Sequence, residues 1–173
     1  MRASLTASSL AVLLLAGCAS LDKDECRTAD WRAIGLEDGA QGRALERLGD
    51  HRKACAKHGV TPDTDRYIAG RTEGLATYCT ADNGYRVGRS GEAYRGVCPE
   101  LSTPAFVAAY NRGRELHTLH ARLASVDREI ASLKASLKEG VRSPRERADQ
   151  VERLEALTRE SEQLDARIAR LER

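Results

Sequence analysis

Two runs of glycine and aromatic residues at helical spacing constrain the fold of this chain more than any other feature. The first run is Trp31, Gly35, Gly39 and Gly42, and the second is Tyr67, Gly70, Gly74 and Tyr78. The members of each run share one face of a helix. Each helical glycine costs about 0.5–1 kcal/mol relative to alanine, and close approach of two backbones would offset that cost. The runs therefore predict two helices packed through their glycines, with a shallow groove for an extended ligand as the alternative.

This region is expected to hold three helices: residues 30–42, residues 44–58 with Gly59 as the stop, and a third that Thr61-Pro62-Asp63 opens and that runs through Tyr78. The whole chain has 173 residues, enough for one domain and an appendage. Its 28 basic and 26 acidic residues give a formal net charge of +2, which argues against nucleic-acid binding.

The N-terminus has the composition of an export signal. Arg2 supplies a positive charge, and the apolar segment from Leu5 to Ala16 is too short to span a bilayer. The segment ends in Leu15-Ala16-Gly17-Cys18, which resembles the bacterial lipobox, where the cysteine is acylated and the preceding residues are removed. An ordinary signal peptide followed by a chance cysteine is the alternative.

The lipobox reading divides the N-terminal region into two parts. Residues 1–17 are expected to be a lipoprotein signal peptide, and residues 18–25 a tether lipidated at Cys18, with palmitate as one acyl chain. Ala19 follows the cysteine, which resembles the signals of lipoproteins sorted to the outer membrane. Each buried methylene contributes about 0.8 kcal/mol, so two or three acyl chains would hold the protein on the membrane.

Assigning Cys18 to lipid changes the meaning of the cysteine count. Five cysteines are an odd number, but the remaining four are Cys26, Cys55, Cys79 and Cys98. An exported protein is expected to join them in two disulfides, and three connectivities are open. We expect Cys26–Cys55 and Cys79–Cys98, because sequential pairing closes the shortest loops.

Residues 81–103 carry turn signals and few apolar side chains. Asp82-Asn83-Gly84 and Arg89-Ser90-Gly91 favour turns, so we expect a Gly-rich loop, with residues 85–87 and 94–97 as a short hairpin. A disulfide that closes about twenty residues contributes about 3 kcal/mol in the chain-entropy model. The stretch is therefore interpreted as stapled scaffold, and as a binding surface only by hypothesis.

The C-terminal third has leucine heptads. Pro104 begins a long helix that Gly140 ends, and Ser143-Pro144-Arg145-Glu146 is a strong start signal for a second helix. The short turn imposes antiparallel pairing over about 45 Å, although association with other chains stays open. The expected layers are Leu133 with Val151, Ile130 with Leu154, Val126 with Leu157, Leu123 with Ser161, Leu119 with Leu164, Leu116 with Ile168 and Gly113 with Leu171.

Together these patterns predict a mainly α protein. A small disulfide-stapled helical domain with a Gly-rich loop would occupy residues 26–104. A long antiparallel helical hairpin, a coiled coil, would occupy residues 105–173.

Two histidine clusters have metal-ligand spacing, but neither is a complete site. His51, Cys55 and His58 share a helical face, yet export favours Cys55 in a disulfide. His117 and His120 beside Glu115 are better explained as a helix edge. We therefore expect no metal and no cofactor.

The sequence contains no convergent catalytic motif, so we expect no catalytic residues. Glu73 and Glu92 could form a carboxylate pair for glycan cleavage, but two solvated carboxylates are the simpler interpretation. One candidate ligand surface remains, because aromatic rings stack on sugars and arginine pairs with carboxylates. Its residues are Arg71, Tyr78, Tyr85 and Tyr94.

The glycine, tyrosine and cysteine motifs together resemble a proteobacterial lipoprotein family catalogued as domain of unknown function 2799, over about residues 26–115. The motifs are Asp30-Trp31 with Gly35, Asp38-Gly39 and Gly42; Ala54-Cys55; Tyr67, Gly70-Arg71, Gly74-Leu75 and Tyr78-Cys79; Asn83-Gly84-Tyr85, Gly88, Gly91 and Tyr94; and Val97-Cys98-Pro99. The resemblance implies a small, cysteine-containing, membrane-anchored envelope domain and supplies no catalytic residues. The hairpin lies outside it.

The functional expectation is a non-enzymatic envelope lipoprotein on the periplasmic side of the outer membrane. It would hold the membrane through acylated Cys18 and a protein partner through the C-terminal hairpin. The alternative is a cell-wall glycan binding module or weak hydrolase, for which peptidoglycan would be the partner.

Overall fold

The computed structural model describes residues 21–140 and 143–173, and its regular structure within these ranges is entirely helical. The helices are α1 (Lys23–Thr28), α2 (Trp31–Ala40), α3 (Glu46–Ala56), α4 (Thr64–Tyr78), α5 (Ala81–Ser90), α6 (Thr103–Glu139) and α7 (Pro144–Leu171). The predicted mainly α fold is confirmed. The expected signal peptide and Cys18 lie outside the described residues. None of the described helices combines the length and hydropathy needed to cross a membrane.

Helices α2 and α4 pack face to face through their glycines, as the spacing predicts. A Cβ atom on Gly35 would overlap the carbonyl oxygen of Tyr67, and one on Gly70 would overlap that of Arg32. Gly39 and Gly74 make equally close approaches one turn further along. The two backbones therefore touch directly, and dispersion contacts between them offset the conformational cost of the glycines.

The prediction of a loop over residues 81–103 is wrong for its first ten residues, which form α5. Thr80 caps this helix by accepting a hydrogen bond from the backbone N–H of Asn83 at 3.2 Å. Gly84 and Gly88 pack on the backbone of α6, where side chains would overlap the carbonyl oxygens of Phe106 and Tyr110. Asp, Asn and Gly favour turns locally, but burial against α6 stabilises the helix instead. The expected hairpin strand at residues 85–87 is therefore helical.

The α5/α6 pair repeats the geometry of the α2/α4 pair. In each copy the first glycine meets the carbonyl of a fully buried aromatic residue, and the last has a positive φ and lies against a ring. The corresponding sets are Gly35, Gly39 and Gly42 with Tyr67 and Tyr78, and Gly84, Gly88 and Gly91 with Phe106 and His117. The domain is therefore built from two glycine-packed helix pairs.

Each helix pair is accompanied by one disulfide. Cys26 is bonded to Cys55 and Cys79 to Cys98, with Cα–Cα distances of 5.4 and 5.5 Å. The first bond ties α1 to α3. Helix α1 takes up residues 23–25, which were expected to be tether, because Asp22 and Glu25 form a capping box at its start.

Helices α6 and α7 form the antiparallel hairpin. Gly140 ends α6, and the Ser143 side chain caps α7 by accepting from the backbone N–H of Glu146 at 3.2 Å. Leu116, Leu119 and Ile168 are buried together, with Leu123 and Leu164 packed against them.

One expected layer of the hairpin is wrong. Gly113 does not face Leu171; it packs on α5, where a Cβ would overlap the carbonyl oxygen of Tyr85. The first turns of α6 are used by the second glycine-packed pair, so they cannot also line the coiled-coil seam. Because α6 starts at Thr103, it runs without interruption across the boundary expected between residues 104 and 105.

Candidate functional site

Two tyrosines of the candidate ligand surface, Tyr78 at the end of α4 and Tyr85 within α5, line different grooves. Tyr78 is 8% exposed and lines a polar groove of about 500 Å³. Tyr85 is half-buried, lines a second groove formed with α6, and has the guanidinium of Arg112 4.9 Å from its ring centroid.

The other two members of the candidate surface are engaged within the fold. Tyr94 packs on Phe106 at a centroid distance of 4.7 Å, and its hydroxyl oxygen accepts from the backbone N–H of Cys98 at 3.1 Å. Arg71 donates from Nη2 to the carbonyl oxygen of Arg43 at 2.9 Å. Neither of the two grooves is lined by all four residues.

A buried polar network, which the sequence analysis did not predict, joins α2, α3 and α4. Oδ2 of Asp38 accepts from the Tyr67 hydroxyl at 2.8 Å and lies 2.9 Å from Nε2 of His51. Arg47 Nε lies 4.0 Å from the other carboxylate oxygen. The sequence signal was present, since Asp38 shares a helical face with Gly35 and Gly42. A carboxylate on a buried face requires a buried partner.

The environment of Asp38 keeps it ionised. Burial raises the pKa of Asp38, but hydrogen bonds from His51 and Tyr67, with the charge of Arg47, outweigh it and leave the pKa below its ordinary value. Burial, followed by the neighbouring Asp38 carboxylate, raises the pKa of Tyr67. An ionised Asp38 can only accept, so His51 carries a proton on Nε2. Asp38, His51 and Tyr67 line neither of the two grooves, and their hydrogen bonds join three helices of the fold.

Residues of the two histidine clusters and of the carboxylate pair make contacts other than those of a shared site. Cys55 is in a disulfide, and Nδ1 of His117 lies 3.2 Å from the carbonyl oxygen of Arg89. Glu73 pairs with Arg32, whereas Glu92 accepts from the Ser90 hydroxyl at 3.0 Å. Across residues 21–140 and 143–173, His, Cys, Asp and Glu side chains form no group of three that could hold a metal ion.

The polar groove lies where the two helix pairs meet. Its wall comes from the turn after α2, the end of α4, α5 and the residues that follow α5. Its charged side chains are Arg43, Arg86, Arg95 and Glu92, and its most buried polar side chain is Tyr78.

The hairpin surface carries a ladder of ion pairs between α6 and α7. The pairs are Glu115–Arg167, Arg122–Glu160 and Glu129–Arg153. Their members are seven residues apart on each helix, so they occupy one repeating position of the heptad. Arg122 contacts Glu160 with two nitrogens, at 2.7 and 2.9 Å, and the hydrogen bond lowers the pKa of Glu160. The ladder supports the register of the coiled coil.

The turn end of the hairpin is thinly packed. Val126 and Leu157 are 0% and 1% exposed and close the buried part of the seam. Beyond them the apolar residues are half-buried, and Val151 is 39% exposed. These half-buried residues are Ile130, Leu133, Leu137 and Leu154. Together with Val151 they form an apolar stripe that we call the distal seam.

Comparison with known proteins gives one match. The model of a family described as protein of unknown function (DUF2799) matches residues 30–115. No curated protein and no solved structure matches the chain. The matched segment begins at the N-cap of α2 and ends two residues after Gly113, so it contains both glycine-packed pairs and stops where the hairpin seam begins.

Proposed function

Residues 30–115 belong to the DUF2799 family, and from this premise we propose that the protein is a membrane-anchored envelope lipoprotein that acts as a non-enzymatic protein-interaction module on the periplasmic side of the outer membrane. Its anchor is Cys18 of the lipobox-like segment. Two disulfides in a domain of this size support an oxidising compartment.

The observation that carries the interaction role is the distal seam. Burying apolar surface contributes about 25 cal/mol per Å², so a stripe left half-exposed on both helices favours a further helix packed against it. A two-helix hairpin covers only one side of each apolar stripe, and a third or fourth helix would complete a bundle.

The course of α6 supports the same role. Its first turns pack on α5 inside the DUF2799 segment, and the same helix continues to Glu139. At 1.5 Å per residue, its 37 residues span about 55 Å. A continuous helix transmits position from the membrane-proximal domain to the distal seam without a flexible joint.

The charge of residues 127–156, the segment that contains the distal seam, indicates the chemistry of the partner. Residues 127–156 hold seven basic and seven acidic side chains, so the segment has no net charge. Long-range electrostatic attraction is therefore weak, and apolar contact with an amphipathic helix of another envelope protein is the favoured mode.

Crosslinking in cells tests this proposal. A photo-crosslinking residue at Val151, on the distal seam, should give an adduct with a different protein. The same residue at exposed Asp149, which lies on the opposite side of α7, should not. An adduct of twice the chain mass would identify a second copy as the occupant instead. The absence of any adduct at Val151 would contradict the interaction role.

A further inference from the structure

The polar groove between the helix pairs is rich in unpaired positive charge. Arg43 donates from Nε to the Gln41 side chain at 3.2 Å, and Arg86 donates to the Asn83 side chain. Neither of these arginines, nor Arg95, has a carboxylate within ion-pair distance among the residues the structure describes.

Other arginines show that such pairing is common on this protein. Arg32, Arg89, Arg122, Arg153 and Arg167 each meet a glutamate. The carboxylate of the groove, Glu92, accepts from the Ser90 hydroxyl and leaves the guanidinium groups uncompensated. Three cationic groups against one anionic group make the groove a favourable place for an anion.

Tyr78 adds a hydroxyl donor to the same groove. The residue is 8% exposed, and its ring stacks on Phe106 at a centroid distance of 5.3 Å. Its hydroxyl makes no hydrogen bond with any residue in the described ranges, and its oxygen is not among the buried polar atoms there, so it is free to donate to a ligand in the groove. Burial, and then the neighbouring Glu92, raise the pKa of Tyr78, so the hydroxyl stays protonated at neutral pH.

The backbone of Gly42 holds this ring in place. Gly42 has φ +63°, and a Cβ there would overlap the Tyr78 ring. The turn after α2 can therefore close over the ring without displacing it. The position of the hydroxyl in the groove follows from the packing of both helix pairs.

We propose that this groove is a binding site for a small organic oxyanion, a sugar-sized molecule that carries a phosphate or carboxylate group. Arg43, Arg86 and Arg95 bind the charged group, and the Tyr78 hydroxyl donates to one of its oxygens. Ala40, Val87 and Ala93 line the groove and contact the carbon skeleton. The volume of about 500 Å³ suits a ligand larger than a single ion.

Titration calorimetry with defined probes tests the proposal and separates the sources of the oxyanion. The phosphate probes are inorganic phosphate and glycerol 3-phosphate, the carboxylate probe is N-acetylmuramic acid, and the neutral control is N-acetylglucosamine. At least one anionic probe should bind at least about tenfold more tightly than the neutral sugar. Binding of the phosphate probes alone would indicate a phosphorylated ligand or a lipid headgroup. Binding of N-acetylmuramic acid alone would indicate cell-wall glycan.

Variants of groove residues test whether the anionic probes bind in this groove. Tyr78→Phe keeps the stacked ring and should weaken binding about tenfold, because a hydrogen bond to a charged oxygen is lost. Tyr85→Phe, outside this groove, is its matched control and should bind as the wild type does. Arg95→Gln changes an exposed residue, and it should also weaken binding about tenfold. Arg128→Gln on the hairpin is its control.

Two results would overturn the proposal of an oxyanion site in this groove. One is failure of every anionic probe to bind better than N-acetylglucosamine. The other is binding that Tyr78→Phe and Arg95→Gln leave unchanged, which would place the anion elsewhere. Circular dichroism melting of each variant shows that the fold is retained.

Discussion

His51 and Asp38 meet at 2.9 Å inside the first glycine-packed pair, where the ring nitrogen and the carboxylate connect α3 to α2. His51 is 5% exposed, and its ring also lies near those of Trp31 and Tyr67, at centroid distances of 6.3 and 6.1 Å. Helix α3 is also held by the Cys26–Cys55 bond, by a hydrogen bond from Arg52 to the Thr64 hydroxyl at 3.2 Å and by a few buried side chains. The His51–Asp38 contact is a buried polar link that helps to position α3 against α2.

Removal of the His51 ring should destabilise the domain. His51→Ala leaves a cavity and takes one donor from a buried carboxylate, so we expect a loss of about 2–4 kcal/mol in the free energy of unfolding. His58→Ala is the matched control, because His58 is only half-buried and lies in the turn that follows α3. Urea denaturation of the two variants measures the difference. Equal, small losses would show that the Asp38 contact does not hold α3.

The lowered pKa of Asp38 predicts an acid-dependent contribution to stability. A carboxyl group whose folded pKa is depressed stabilises the fold above its ordinary pKa of 3.8, and that stabilisation is lost as the pH falls through the lower folded value. The groups that face it are His51, Tyr67 and Arg47. Asp38→Asn should therefore be less stable than the wild type at pH 7, and the difference should shrink below about pH 4.

Denaturant unfolding at pH values from 7 to 2 checks this second prediction. Asp149→Asn, at an exposed position on α7, serves as the control. A difference between Asp38→Asn and the wild type that stays constant down to pH 2 would be inconsistent with an ionised, hydrogen-bonded Asp38.

Two glycine-to-alanine changes should have opposite effects on the free energy of unfolding. At Gly70 a methyl group would overlap the carbonyl oxygen of Arg32, so α2 and α4 must separate, and we expect a loss of at least about 2 kcal/mol. At Gly49 no atom lies within 4 Å of the new methyl, and Gly49→Ala should gain about 0.5–1 kcal/mol from helix propensity. Thermal melts of both variants test the pair. A stable Gly70→Ala protein would refute the close backbone contact.

The disulfides predict that none of the four cysteines of the helical domain has a free thiol. Alkylation before reduction should leave Cys26, Cys55, Cys79 and Cys98 unmodified by mass spectrometry. Replacing Cys79 and Cys98 by serine should cost about 3 kcal/mol, because the bond closes a separation of 19 residues in the unfolded chain. Alkylation of Cys55 in the intact protein would reject the pairing.

Lipidation at Cys18 is tested in cells. Labelled palmitate should enter the wild-type protein and not Cys18→Ser, which should be released from the membrane fraction because it lacks its acyl chains. Cys79→Ser retains Cys18 and should incorporate label as the wild type does. Equal labelling of wild type and Cys18→Ser would end the lipoprotein interpretation.

Some structural elements follow from local sequence alone. Ser143-Pro144 and Glu146 predict the start of α7, and Gly140 predicts the end of α6, because caps act over three or four residues. The packing of α2 on α4 also follows from spacing, since helical glycines at intervals of three and four residues form a flat face.

Other features required the tertiary structure. The turn signals of residues 82–84 predict a loop, but they lie in α5 because α6 covers their glycines. Gly113 packs on α5 rather than on Leu171, because the backbones of α5 and α6 approach closely there. Local propensities differ by about 1 kcal/mol per residue, and packing of two backbones outweighs them.

The candidate site residues show the same contrast between what the sequence predicts and what the fold decides. From the sequence, Tyr78, Tyr85, Tyr94 and Arg71 were grouped by residue type, because stacking and ion pairing depend on chemistry that composition reveals. Only the fold decides that Tyr78 faces a groove with Arg43, Arg86 and Arg95, while Tyr94 is engaged with Phe106. Residue 43 and residue 95 are brought together by two glycine-packed pairs, and no local pattern encodes a contact that depends on how those pairs meet.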